Sequence, residues 1–195
     1  MADDNTPDIL VSEAPAFFTG YYPGYSDLAL NGTKHWAWII LKVHSRNNVE
    51  TVRLRSADPR DTPIINFNSF DTGVTADDAW EKDLEAVYEA MQFSHQAFAD
   101  LIPLDGTFTD VWPDPNVTTE AEMKNFIQNE VWGHHVLCTC PISADDDPMA
   151  VLDSKFRVRG VQGLRVVDAS VFPKIPKFYI ALPICMISEK AADTA

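Results

Sequence analysis

The chain has 195 residues, 46% of them hydrophobic, and a formal charge of −14. That length and apolar share suit one globular domain over residues 1–195, and the acidity argues against nucleic acid or an anionic membrane surface as a partner. No apolar run is long enough to span a bilayer. The start, Met1-Ala2-Asp3-Asp4-Asn5, lacks the basic-then-apolar pattern of a secretion signal. Together with an odd count of three cysteines, this points to a reducing, cytoplasmic setting.

In chain order, Asp8–Ala14 reads as a strand and is followed by an aromatic, Gly-rich loop, FFTGYYPGYSD. His35–Ser45 is apolar enough for a buried strand. TVRLRS from Thr51 alternates as a half-exposed strand, and PIINFNSF offers another. The N-terminal third therefore reads as an antiparallel meander. The strongest helical pattern lies between Thr75 and Asp100, with Trp80, Leu84, Val87, Tyr88, Met91 and Phe98 at helical spacing. Thr75 or Asp77 is positioned to cap it. His95 sits on the same helix and reads as structural.

Thr118–Val131 carries a capping box, Thr119 with Glu122 three residues later. It leads into WGHHVLCTC and the acidic turn SADDDPM, whose aspartates lack the spacing of a calcium loop. Two strands are expected around VQG at 161–163, then a final helix with Pro183 in its first turn. Strands with interspersed helices make this an α+β chain, an antiparallel sheet with flanking helices.

Histidine is the side chain best suited to proton transfer near neutral pH, so the adjacent pair His134-His135 is the first place to look for chemistry. On an extended segment the two point to opposite faces, and only one can serve a given pocket. Cys138 and Cys140 would share a face of a strand. With only the two histidines close by they fall short of a closed zinc site, so they read as buried thiols and no metal is assigned. No Gly-x-Ser-x-Gly elbow, phosphate loop or Gly-x-Gly-x-x-Gly turn is present. Nothing here reads as a dinucleotide cradle.

The stretch GHHVLCTCPISADDDPMAVLDSKFRVRGVQGLRVVDASVFPKIP, followed by LPICMISEKAAD, resembles the C-terminal portion of the glucose–methanol–choline oxidoreductases. It is most similar to the fungal branch associated with secondary metabolism. PAFFTGYYPGYSD and the run from His35 to Asp71 resemble the substrate-binding portion of the same family. The resemblance implies FAD as cofactor, held by a nucleotide-binding half for which this sequence shows no motif, and a small-molecule alcohol as substrate. By the family's His-x-x-x-Thr spacing, His135 with Thr139 takes the position of the catalytic base, with His134 beside it. Tyr179 falls at the second catalytic position. Asp168, Ala169 and Ser170 fall against the flavin, as do Ala181 and Leu182 at the start of the last helix. Where many relatives carry glycine at residue 178 or just before it, this chain reads Lys177-Phe178.

Three functions follow from these residues. The first is oxidation of an alcohol on a small metabolite, with FAD held together with a separate FAD-binding polypeptide. The second is cofactor-free proton-transfer chemistry (isomerisation, dehydration or cyclisation) in a cavity lined by Phe17, Phe18, Tyr21, Tyr22, Trp36, Trp38, Phe178 and Tyr179. The third is a non-catalytic partner of a flavin-binding protein, or self-association through the surface that once faced the flavin half.

Overall fold

The computed structural model describes residues 7–32, 34–47, 49–70, 79–103, 106–133 and 135–194. The chain divides into two compact units, 1–132 and 133–195, each with its own hydrophobic core.

In the first unit β1 (Ile9–Ala14) pairs antiparallel with β2 (Ala37–Lys42), from Ile9 opposite Lys42 to Ala14 opposite Ala37. Between them lies a helix the sequence reading missed, α1 (Tyr25–Asn31). A shorter antiparallel pair joins β3 (Thr51–Arg53) to β4 (Ile64–Asn66). The expected meander is thus two separate two-stranded ladders among the described residues.

The long helix α2 (Ala79–Asp100) packs on β1, β2 and the shorter helix α3 (Glu120–Glu130). The stripe foreseen from its spacing is the one buried: Leu84, Tyr88 and Met91 meet Ile127 of α3, with Trp80, Val87, Ile40 and Phe126 around them. The α3 capping box forms as its sequence predicts, Thr119 Oγ1 accepting from the Glu122 N–H and Glu122 accepting from the Thr119 N–H. The proposed caps of α2, Thr75 and Asp77, lie outside the described residues.

Two buried carboxylates tie this unit together. Asp83, on the second turn of α2 and 1% exposed, accepts the backbone N–H groups of Arg46 and Asn47 at 2.7 and 3.1 Å. It also meets Arg46 Nη1 and Lys42 Nζ, each at 3.1 Å. Asp8 accepts from Lys42 Nζ at 2.6 Å and from the His44 N–H at 2.8 Å. Burial alone pushes the Asp8 carboxyl up, but the hydrogen bonds and charges of Lys42 and His44 outweigh it and hold it below its usual value. Each carboxylate is therefore buried only where charge-assisted donors meet it.

Next to this cluster the β3–β4 segment is closed at its stem by two asparagines. Asn47 Nδ2 donates to the Asn68 carbonyl at 2.5 Å, and Asn68 Nδ2 donates to the Val49 carbonyl at 3.1 Å. Asn68 adopts φ 45°, a left-handed backbone that asparagine tolerates better than most residues.

The second unit has one regular helix, α4 (Ala181–Ala192), and a three-residue 3₁₀ turn at Ala169–Val171. Its core is Leu152, Phe156, Val171 and Ala191, with Ile142, Val166 and Ile187 around them. The two strands expected around VQG reduce to a short hairpin, with Val158 N–H donating to the Leu164 carbonyl and Val166 N–H to that of Phe156. Gly160 and Gly163 make the turn at φ 76° and 74°. Phe156 itself sits at φ 62°, so extended backbone stops there and the ladder cannot lengthen. Among the described residues no helix is long and apolar enough to cross a membrane.

Candidate active site

Of the residues singled out for catalysis or cofactor contact, those described all belong to the 133–195 unit; His134 lies outside the described residues. What organises them is a backbone lacing. The N–H groups of Cys138, Cys140 and Ile142 donate to the carbonyls of Ala169, Ser170 and Val171 at 3.3, 2.9 and 3.0 Å. Alternate donors of 138–142 thus meet three successive carbonyls of the 3₁₀ turn. From the other side, the Pro141 carbonyl accepts from Val151 and Leu152, both at 3.1 Å. The segment that follows His135 is thereby clamped between the Asp168-Ala169-Ser170 stretch and the core strand-like run at 151–152.

Asp168 shapes that turn as its cap. One carboxylate oxygen accepts the Ser170 N–H at 2.8 Å and the Ser170 hydroxyl at 2.5 Å. Those two donors hold its carboxyl below the usual aspartate range. Asp168 is therefore an ionised structural cap, and Ser170's hydroxyl is already committed to it. Cys138 adopts φ 66°, which breaks the strand expected for VLCTC, and burial pushes its thiol pKa up. A thiol in that state is a poor nucleophile.

His135 and Tyr179 are exposed, Tyr179 by 58%. Ala181 and Leu182 open α4, whose N-cap, Ile180, makes no side-chain capping hydrogen bond. On α4, Ile187 and Ala191 face the core while Leu182 and Met186 are exposed by 71% and 65%. Lys177 has φ 129°, a conformation glycine adopts readily and lysine rarely. The place where the family resemblance leads one to expect glycine is thus one whose backbone asks for it.

The exposed apolar side chains of Leu182 and Met186 suit the face of a flat ring such as a flavin's. The candidate site residues do not offer a glycine-rich turn for its pyrophosphate. Among the described residues no cluster of side chains could hold a metal. In the acidic turn, Arg159 instead donates to the carbonyls of Ser143, Ala144 and Asp145.

The first unit holds a cleft of about 430 Å³ lined by residues of 1–132 alone. Phe17, Phe18, Trp36 and Trp38 line it as the aromatic list anticipated, but Tyr21 and Tyr22 do not, and Phe178 and Tyr179 belong to the other unit. His95, read from the sequence as structural, is in its wall.

A family model for GMC oxidoreductase matches residues 44–188. An oxygen-dependent choline dehydrogenase of Vibrio vulnificus is 39% identical over 153 residues, which is 78% of this chain and 25% of that protein. The choline dehydrogenase of Brucella ovis is 40% identical over 144 residues, 73% of this chain and 25% of that protein. The chain thus spans about a quarter of the length of these relatives. Among solved structures, pyridoxine 4-oxidase from Mesorbium loti superposes with a TM-score of 0.69 at 24% identity, over 97% of this chain and 34% of that one, which speaks to the fold. A formate oxidase of Aspergillus oryzae, studied for its FAD modification, matches with a TM-score of 0.64 at 26% identity, over 82% of this chain and 26% of that one. With 44–188 covered by the family model and the α+β fold shared, this chain belongs to the GMC oxidoreductase family.

Proposed function

We propose that the chain serves FAD-linked oxidation of an alcohol group on a small metabolite, with His135 as general base. The observation that carries this reading is the backbone lacing of 138–142 to 169–171. It fastens the stretch that follows His135, Thr139 included, to the Asp-Ala-Ser stretch, which brings the base's segment and the expected flavin-facing surface together. Positioning of that kind is what a proton-transfer step needs. The choline dehydrogenase relatives support an alcohol as the reacting group.

In this reading His135 takes the proton from the substrate hydroxyl, and Tyr179 helps to orient that hydroxyl. Ala169, Ala181 and Leu182 offer the ring-facing surface, while Asp168 and Ser170 fix the turn that presents Ala169. Bound FAD supplies the electron sink that no side chain provides. Its nucleotide end is held by a separate FAD-binding polypeptide.

The test is His135→Ala in the flavin-loaded assembly. Turnover is expected to fall by roughly 10²–10⁴-fold while the flavin absorption spectrum and the folded state stay as they were. Unchanged turnover would remove His135 from the chemistry. A colourless protein that ignores added FAD, even with a nucleotide-binding portion supplied, would remove the flavin.

A further inference from the structure

We propose that the alcohol this chain selects carries a negative charge, on a carboxylate or a phosphate, and that Lys177 is the residue that selects it. The proposal rests on the oxidation proposed for His135, because it takes the loop that carries Tyr179 to face the substrate.

Charge is divided unevenly between the units. Residues 133–195 include seven acidic and seven basic side chains, so the whole of the −14 lies in 1–132. The stretches that hold most of the candidate site residues, 133–144 and 169–188, contain two charged side chains besides the histidine pair, Lys174 and Lys177. The acids that border these stretches are Asp145, Asp146, Asp147, Asp168 and Glu189. Asp145 pairs with Arg159, Asp147 accepts from the Met149 N–H, and Asp168 accepts from Ser170. Asp146 and Glu189 are exposed.

The three arginines of the unit are engaged. Arg157 pairs with Asp153, Arg159 with Asp145, and Arg165 donates to the carbonyls of Lys155 and Thr194. Lys174 already interacts within the chain. The Lys177 ammonium, by contrast, is exposed and makes no hydrogen bond or ion pair among the described residues. Its backbone stands at φ 129°, where glycine would be at ease and lysine is not. Backbone strain of this kind gathers at ligand-handling sites. From residue 177 to 181 exposed and half-buried positions alternate: Lys177 and Tyr179 are exposed, Phe178 and Ile180 half-buried. Lys177 and Tyr179 therefore stand together on the outward side of this segment.

An alcohol oriented by Tyr179 thus lies within reach of one uncompensated positive charge. A compact ammonium on a flexible stem attracts an anionic substituent without demanding one geometry, so a carboxylate and a phosphate both qualify. A fixed cation meets like charge there. Choline, the alcohol that gives the two dehydrogenase relatives their name, is a cation of that kind.

The test uses alcohols of one shape: 4-(hydroxymethyl)benzoate, 4-(hydroxymethyl)phenyl phosphate, 4-methylbenzyl alcohol and 4-(hydroxymethyl)phenyltrimethylammonium. Affinity is read by NMR titration of the full chain without flavin, and kcat/KM in the flavin-loaded assembly. At least one anion is expected to outrank the neutral alcohol by roughly threefold to fivefold, as an exposed charge pair gives, and the cation to fall below it by a similar factor. The stronger of the two anions names the group. Lys177→Gln should level the series, Lys177→Arg should preserve it, and Lys174→Gln should leave it unchanged. Circular dichroism checks that each variant is folded. Charge-ranked binding with no oxidation of any probe would remove the oxidation and leave the charge selection standing. Oxidation without a preference for either anion would do the reverse and overturn this proposal. It is equally overturned if neither anion binds saturably or turns over, or if a folded Lys177→Gln keeps the ranking.

Discussion

The two units are stabilised by different means. The 1–132 unit is built from regular elements: a 22-residue helix, two ladders and a pair of buried carboxylates that several donors share. The 133–195 unit has one helix, and the rest is held by single backbone bonds and side-chain caps. Left-handed non-glycine residues recur in it at Cys138, Phe156 and Lys177. Such positions cost of order 1–3 kcal/mol each and persist only when the surroundings over-determine them. The contrast separates a region organised for stability from one organised to present a surface.

The largest effect expected is at Asp83. Asp83→Ala leaves Lys42 and Arg46 facing no carboxylate at that point and two backbone N–H groups without their acceptor. A loss of about 3–5 kcal/mol is expected, read by urea unfolding. All five tryptophans lie at or before residue 132, so their fluorescence follows this unit alone. A loss under about 1 kcal/mol would mean that the cluster behaves like an exposed ion pair, and the contrast between the units would fail.

Acid should weaken both units, through different carboxylates. In the first, Asp8 is held below its usual value; in the second, Arg157 and nearby N–H groups pull Asp153 down to about 2. Both therefore bind fewer protons folded than unfolded. Their stabilisation is complete above the unfolded value near 4, and it drains as pH falls towards 2. Unfolding midpoints at pH 6 and pH 3, read by tryptophan emission for one unit and amide exchange for the other, should both drop. Asp153→Asn should flatten the response of the second unit only; an unchanged slope there would separate Asp153 from its acid sensitivity.

The smallest effect sharpens the comparison from the other side. Lys177→Gly relieves a backbone at φ 129° at the expense of a more flexible unfolded chain, for a net gain of about 1 kcal/mol. Protection of amides around α4 should rise. A loss of protection would mean that the Lys177 side chain holds the loop rather than tolerating it.

These differences also explain what could be read in advance. The helical spacing of Leu84, Tyr88 and Met91 placed α2, apolar runs placed β1 and β2, and Thr119 with Glu122 marked the start of α3 to the residue. The same reasoning passed over α1, a seven-residue helix with no buried residue that opens after a left-handed Gly24. It also drew strands through Cys138 and Phe156, where a left-handed backbone that no alternation pattern reveals ends them. In the second unit the candidate site residues were assigned through family resemblance rather than periodicity, since its order lies in loops and single bonds. Asp168 was anticipated as a flavin neighbour, and its role as the cap of Ser170 emerges only from the fold. His95 was read as structural, and the cavity was expected to include Tyr21, Tyr22, Phe178 and Tyr179, because a helix stripe predicts burial but not the gap it borders.

The asparagine pair at the stem of β3–β4 has a consequence for how this family can vary. Asn47 reaches across to the Asn68 carbonyl and Asn68 back to that of Val49, so the two ends of the hairpin are fastened to each other. Residues 50–67 thus leave and rejoin the unit through one fastened stem, so a change of hairpin length between them is expected to be tolerated while both amides are kept.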